Sequence, residues 1–225
     1  MKKITAFDTE IYFSKRASQK TLRLRIDLRG RVCLTAPLFC SEKKALSFFK
    51  QHLDWVKQHQ QDKKDVFMFQ NGDVVSILGK ELKIIHDPSQ KTGVEIKSNC
   101  LYVGGDIDFL HRRIVNFAKK SLLQYIQEKS DQMAGVISKK INRISLKDTS
   151  SRWGSCSCNN NLNFCFKIAF APPYVIDYLI AHEVSHLKEM NHSAAFWETV
   201  ALMNVSQAEA EIWLRKNGPS LMKIK

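Results

Sequence analysis

The feature that most constrains this chain is the stretch His182-Glu183-Val184-Ser185-His186. Two histidines four positions apart lie on one face of an α-helix, one turn above the other, where both imidazoles can bind a single metal ion. Glu183 is rotated by about 100° from His182. Its carboxylate therefore lies beside that ion and can take a proton from a water molecule. The pattern is the HExxH signature, which indicates a zinc hydrolase.

The residues around the motif independently predict a helix. Pro172-Pro173 suits a first helical turn, and apolar residues then recur at helical spacing. This apolar set comprises Val175, Ile176, Leu179, Ile180, Val184 and Leu187. A chance match to HExxH has a probability of roughly 1% in a chain of this composition. Motif and helix together favour a metal site over two histidines that only pack or face solvent.

A catalytic zinc ion usually has three protein ligands and one open position. We predict His192 as the third ligand, because it follows His186 by six residues, the spacing also found in metzincins. Metzincins have a glycine where this chain has Glu189, so we expect a different turn. Glu198 is the alternative third ligand, since other zincins use a glutamate from the next helix.

Several motifs of this chain resemble the YgjP-like metallopeptidase family, which is related to the SprT-like and WLM zincins. The resemblance is dense from Arg143 to Trp197 and thinner over Leu22–Pro37 and at Trp55. The matching motifs are Ser151-Arg152-Trp153-Gly154-Ser155-Cys156, Asn161-Leu162-Asn163, Ala171-Pro172-Pro173, Asp177-Tyr178, His182–His192, Asn191-His192-Ser193 and Phe196-Trp197.

The resemblance implies a zinc-dependent peptidase domain that acts on a peptide or protein. It assigns the Zn²⁺ ligands to His182, His186 and His192 and the general base to Glu183. It also implies a helix packed beside the metal-binding helix. It supplies no particular substrate.

The pattern of strands and helices predicts an α+β fold. Residues 1–105 are expected to form a β-rich N-terminal module with one helix, and two hairpins account for its second half. Residues 106–225 are expected to form a zincin-like metallopeptidase domain. Within it, a long helix precedes a small antiparallel sheet and the metal-binding HExxH helix.

Capping residues predict where several helices begin and end. Ser41 can cap a helix that runs to about Gln60. Ser206 with Glu209 predicts a capping box for the last helix, Ala208 to Lys216, which Gly218-Pro219 would close.

The formal charge of +13 is unevenly distributed. Residues 1–65 contain 15 Lys and Arg against 7 Asp and Glu, whereas the remainder contains 20 against 15. A basic N-terminal region can bind nucleic acid or another polyanion. A solvated, solubilising surface is the favoured interpretation, because the sequence has no helix-turn-helix, zinc-finger or RNA-recognition motif.

Targeting signals and cysteines bear on the compartment. No apolar run reaches the 18 residues of a membrane span, and the basic stretch Met1–Asp8 lacks the apolar core of a signal peptide. We therefore expect a cytoplasmic protein with no membrane partner and six reduced cysteines. Cys156-x-Cys158 with Cys165 offers an alternative, a second and structural zinc site, but no four-ligand spacing is present.

The expected reaction is hydrolysis of an amide with Zn²⁺ as Lewis acid and Glu183 as general base. Tyr178, Arg152 and Tyr174 all remain candidate donors to the oxyanion. An edge strand of the small sheet is expected to pair with extended peptide backbone. Two alternatives stay open. One is a basic DNA-associated protein whose zinc site cleaves DNA-bound proteins or is only structural, and the other is a hydrolase of a small amide.

Overall fold

The computed structural model describes residues 2–27, 30–63, 66–91 and 93–225. The chain divides into two compact units, one of Met1–Met68 with Lys225 and the other of Phe69–Ile224. Over the described residues the fold is α+β, with small mixed sheets and six α-helices, which confirms the predicted class. Among the described residues, no helix has both the length and the apolar character to cross a membrane.

The first unit contains a four-stranded sheet in the order β1-β2-β4-β3. The central pair β2 and β4 is parallel, and both outer pairs are antiparallel. Alternation of apolar and polar residues gives the sheet one core face, from which Ile11, Phe13 and Leu34 are buried. The strands are β1 (Lys2–Ala6), β2 (Thr9–Arg16), β3 (Arg23–Ile26) and β4 (Val32–Pro37).

Two helices, α1 (Glu42–Gln51) and α2 (Leu53–Lys63), complete the first unit. The Ser41 hydroxyl accepts a hydrogen bond from the Lys44 amide at 3.2 Å, so the predicted cap is confirmed. One continuous helix was expected here. The break occurs at His52, whose backbone leaves helical geometry and whose Nδ1 lies 2.9 Å from the Phe48 carbonyl oxygen.

The second unit begins with another four-stranded sheet, in the order β5-β6-β8-β7. Its antiparallel pairs β5–β6 and β7–β8 are the two predicted hairpins, and the parallel pair β6–β8 joins them. The strands are β5 (Val74–Ile77), β6 (Lys80–Asp87), β7 (Val94–Lys97) and β8 (Cys100–Gly104).

The division of the chain falls after Met68, not after residue 105 as the sequence analysis placed it. The reason is that the β5–β8 sheet shares one core with the helices that follow it. Gly79, in the β5–β6 turn, is one point of close contact between this sheet and a later helix. A Cβ there would lie 2.5 Å from Cδ of Pro173, a residue of the later metal-binding helix, and the φ of Gly79 is +78°.

A helix of 27 residues, α3 (Leu110–Val136), forms the centre of the second unit. It packs along the helix α4 (Pro173–Ser185), the HExxH helix of the sequence. The Tyr125 hydroxyl of α3 donates to an Asp177 oxygen of α4 at 2.7 Å. A helix beside the motif helix was implied by the family resemblance.

A three-stranded sheet lies between α3 and α4 in the chain, in the order β10-β11-β9. We expected an antiparallel sheet, but the β9–β11 pair is parallel and only β10–β11 is antiparallel. The segment between β9 and β11 contains β10, which forms a hairpin with β11. The strand β10 runs opposite to β9, and the hairpin then brings β11 back into the direction of β9. The strands are β9 (Arg143–Lys147), β10 (Gly154–Cys156) and β11 (Asn161–Cys165).

The chain ends in α5 (Ala194–Ala201) and α6 (Gln207–Met222). The prediction that Gly218-Pro219 closes the last helix is wrong, because α6 continues through both residues. Gly218 is buried, and a Cβ there would lie 3.0 Å from the Trp153 ring. Close packing against that ring, not a helix end, explains the glycine.

Candidate metal centre

The helix α4 positions the first two histidines of the motif. It begins with Pro173 in its first turn after Pro172, as the sequence predicts, and its apolar residues are buried. His182 lies in its last turn, and His186 is the residue that caps its C-terminal end. Both imidazoles thus project from the end of a helix that is fixed in the core.

The three predicted histidines come together in space. Their nearest ring nitrogens all lie within 4.8 Å of one another, and Nε2 of His192 is 3.0 Å from Nε2 of His182. The ring centroid of His186 lies 5.1 Å from that of His182 and 4.9 Å from that of His192. In the part of the chain that the structure describes, this is the one group of three or more His, Cys, Asp or Glu with such spacing.

His192 reaches the other two through a compact turn after α4. The amides of Leu187, Lys188 and Glu189 donate to carbonyls of residues 184 and 185, so hydrogen-bonded turns continue past the end of α4 without the metzincin glycine. The Nδ1 of His186 lies 3.0 Å from the Glu189 carbonyl oxygen. Since a carbonyl only accepts, Nδ1 carries the proton and Nε2 keeps its lone pair for a metal.

Phe196, at the start of α5, packs against all three imidazoles. Its ring centroid lies 5.0 Å from His182, 4.6 Å from His186 and 4.7 Å from His192, and its side chain is fully buried. An apolar side chain at this position restricts the orientation of each ring without competing for its nitrogen atoms.

These residues fit a divalent metal ion. Burial, followed by the neighbouring His186 and His192, lowers the pKa of His182 to about 4. Burial likewise lowers the pKa of His186. Neutral imidazole is the form that binds metals, and three nitrogen donors suit the borderline-soft ions, zinc among them.

Glu183 lies beside the histidines, and the residue is 5% exposed. Burial raises its pKa to about 7, and the charge of Arg152 acts in the opposite direction. Its Oε2 atom is buried and has no hydrogen-bond partner among the described residues. A buried carboxylate oxygen without a protein partner and with a raised pKa is a candidate proton acceptor.

The strand β10 passes directly over this carboxylate because residue 154 is a glycine. A Cβ at Gly154 would lie 2.6 Å from Cγ and 2.7 Å from Cδ of Glu183. Any larger residue would displace either the strand or the glutamate. Close packing against Glu183 therefore explains the glycine of the Trp153-Gly154 pair, and the sequence alone did not reveal this contact.

A cleft of about 450 Å³ opens beside the centre. Its lining includes Arg152, Trp153, Tyr178, His182, Glu183 and Glu211. The Tyr178 hydroxyl donates to Oε1 of Glu211 at 2.7 Å, and burial raises the pKa of this tyrosine. The Gln207 amide donates to the same oxygen at 3.0 Å. Tyr178 therefore already uses its proton within the protein.

The other sequence candidates do not join the histidine group. Glu198, the alternative third ligand, is exposed on α5, and Tyr174 is exposed in the first turn of α4. Cys156, Cys158 and Cys165 have free thiols and form no metal-spaced group among the described residues. Glu211 was missed by sequence reasoning. Its only signal was the helical i, i+4 pair with Gln207, which does not point to a cleft.

One of three comparisons with known proteins gives a match. The family model described as YgjP-like, metallopeptidase domain, matches residues 20–217. No curated protein and no solved structure gives a significant match to the chain.

Proposed function

The chain belongs to the YgjP-like metallopeptidase family, which makes it a metal-dependent peptidase, and from this premise we propose a zinc peptidase with a zincin-like active site. His182, His186 and His192 hold Zn²⁺, and Glu183 is the general base. One observation carries the proposal. Three imidazoles with ligand atoms within 4.8 Å of one another lie next to a buried carboxylate.

When bound, Zn²⁺ supplies a Lewis acid that polarises the scissile carbonyl and makes water more acidic. Glu183 takes the proton of the attacking water on a carboxylate oxygen. It later gives this proton to the amine nitrogen that leaves. The burial of Glu183 under Gly154 supports this role, because the close strand limits access of bulk water to the carboxylate.

Arg152 is the proposed donor to the oxyanion. It lines the cleft with Glu183, and its positive charge acts on the pKa of that residue. Tyr178 is less suited, because its hydroxyl proton is donated to Glu211. A guanidinium also carries the charge that a developing oxyanion needs.

The proposed substrate is a peptide in extended form. The strand β10 lies at an edge of its sheet, where its outer backbone groups have no neighbouring strand. Because this strand carries Gly154 over Glu183, peptide backbone paired along β10 passes the proposed general base. Main-chain pairing recognises peptides in general and favours this substrate over a small amide.

The test combines metal content with proteolysis. We expect near-stoichiometric zinc by plasma mass spectrometry in the wild type and its loss in His186→Ala. His59→Ala, which changes a histidine of α2, is the matched control and retains the metal. Hydrolysis of casein is expected in the wild type and not in Glu183→Gln.

Two results would contradict the proposal. Absence of metal after purification with added zinc would remove the assigned ligand set. Equal casein hydrolysis by wild type and Glu183→Gln would remove the assigned base.

A further inference from the structure

The sheet of the first unit has a second face, opposite α1 and α2, which we call the outer face. The core residues of the sheet pack with Ala45, Phe49 and Val56 of the two helices. The side chains that alternate with those core residues therefore point the other way. The strand register arranges them in cross-strand rows, Lys3–Tyr12–Cys33–Arg25 and Ser14–Thr35–Arg23.

The outer face has an excess of positive charge. Two of its cations have acidic partners, since Lys3 contacts Glu10 and Arg31 contacts Asp27, each at 2.7 Å. A further three arginines are exposed and take part in no ion pair among the described residues. These are Arg16, Arg23 and Arg25.

An aromatic ring lies among these charges. The Arg31 guanidinium is 5.0 Å and the Lys3 ammonium 5.6 Å from the centroid of Tyr12. Beside the ring is a recess of about 280 Å³ lined in part by Tyr12, Arg31, Thr9 and Glu10. The recess thus combines two planar groups with hydroxyl and carboxylate groups that can form hydrogen bonds.

The chemistry of this face suits one class of partner. Planar aromatic and guanidinium groups stack on nucleobases, and unpaired arginines neutralise phosphates. A reader of double-stranded DNA usually inserts a helix into a groove, whereas α1 and α2 lie on the opposite side of the sheet. Clustered cations also attract anionic lipid surfaces, and Leu38 and Phe39 are exposed just beyond β4. The two cross-strand rows themselves contain no aliphatic side chain that could insert into a bilayer, which favours nucleic acid.

We propose that the outer face of the β1–β4 sheet binds single-stranded nucleic acid. Arg16, Arg23 and Arg25 contact phosphates, while Tyr12 and Arg31 receive an unstacked base. This site is independent of the metal centre and of the proposed peptidase reaction.

Fluorescence anisotropy of the full-length protein with a labelled oligothymidylate, at several salt concentrations, tests the phosphate contacts. In single strands each contact contributes about −0.7 to the slope of log K against log salt. Arg23→Gln/Arg25→Gln therefore flattens this slope by about 1.4. The control Lys43→Gln/Lys44→Gln removes the same charge from exposed positions of α1 and leaves the slope unchanged.

Tyr12→Leu tests the stacking. Because stacking on an aromatic ring contributes about 1–3 kcal/mol per base, we expect affinity to fall roughly 5- to 160-fold with an unchanged salt slope. Circular dichroism of each variant checks that the sheet remains folded, and Tyr12→Phe, which keeps the ring, retains the wild-type affinity.

Three results would overturn the proposal. The first is no binding of the oligonucleotide by the wild type at low salt. The second is equal weakening by the outer-face and α1 charge variants, which would indicate a non-specific basic surface. The third is a combination of two observations: polyglutamate or anionic vesicles displace the oligonucleotide at equal charge concentration, and Tyr12→Leu keeps the wild-type affinity. Together these would indicate a general polyanion surface.

Discussion

The two compact units treat ionisable side chains in opposite ways. In the first unit the ion pair Lys3–Glu10 has side chains that are 59% and 50% exposed, and even the pair Arg31–Asp27 remains 30% and 18% exposed. In the second unit Glu183 is 5% exposed and Lys167 is fully buried. Exposed charges interact weakly and are screened by salt, whereas a buried charge strongly affects both stability and pKa.

The difference indicates a division of roles. A surface of solvated arginines can attract a charged partner at long range without being fixed in place. The carboxylate of Glu183, the proposed general base, by contrast needs a fixed position, and α4 and β10 pack around it. We therefore expect a substitution at a buried position of the second unit to have a larger effect than the same type of substitution at an exposed position.

The largest effect is expected from Glu183→Gln. Loss of a general base reduces kcat/KM by about 10²- to 10⁴-fold, and because the three imidazoles are unchanged the zinc content is retained. The matched variant Glu198→Gln changes an exposed glutamate of α5 and preserves both activity and zinc. Peptide hydrolysis and metal content measured on the same preparations check this. Loss of zinc in Glu198→Gln would instead favour that residue as the third ligand.

The next effect concerns Lys167, a fully buried lysine whose partner Asp148 is half-exposed. Lys167 Nζ contacts Asp148 Oδ1 at 2.7 Å and donates to the Thr149 carbonyl at 3.2 Å. Asp148→Ala leaves a buried ammonium with one acceptor, and we expect the free energy of unfolding to fall by about 2–3 kcal/mol. Lys167→Met/Asp148→Ala removes the uncompensated charge and recovers most of this loss.

Glu10→Gln is the counterpart in the first unit, and its exposed pair predicts no measurable change in stability. Urea unfolding followed by tryptophan fluorescence compares the variants. The contrast between the units would be contradicted if Asp148→Ala and Glu10→Gln shifted the unfolding midpoint equally.

Gly154→Ala tests the approach of β10 to Glu183. The added Cβ overlaps the glutamate side chain, so we expect a loss of about 1–3 kcal/mol in stability together with reduced peptidase activity. Gly135 is the control, because it is exposed near the end of α3 with no atom within 4 Å of a Cβ. Gly135→Ala is expected to stabilise by roughly 0.5–1 kcal/mol. Full activity in Gly154→Ala would show that the close approach has no catalytic role.

The features that sequence predicted depend on neighbours in the chain. The i, i+4 histidines, the start of α4 at Pro173 and the two hairpins of the β5–β8 sheet are all local patterns, and the structure contains each of them. His192 follows His186 by six residues, so its approach to the other two histidines also depends on a short stretch of chain.

The features that sequence did not predict depend on distant contacts. The parallel β9–β11 pair follows from the path of the intervening hairpin. From the sequence, Gly154 belongs to a family motif, Gly218 is a predicted helix end, and Gly79 is only a residue between two predicted strands. In the structure a Cβ at each would lie within 3.0 Å of Pro173, Glu183 or Trp153, respectively. No local propensity reports such an approach, because its cause lies in another element.

The smallest expected change in stability comes from a comparison of two serines that precede helices. The side chain of one caps its helix, and the side chain of the other does not. Ser41 and Ser206 both precede helices, yet only Ser41 makes the side-chain cap, through its 3.2 Å bond from the Lys44 amide. We expect Ser41→Ala to destabilise the first unit by about 1 kcal/mol. Ser206→Ala, at an exposed position without that bond, changes stability by less than about 0.5 kcal/mol. Trp55 reports on the first unit and the other tryptophans on the second, so one fluorescence titration follows both. Equal losses in the two variants would mean that the capping box of Ser206 with Glu209 forms in solution and that the sequence pattern was the better guide there.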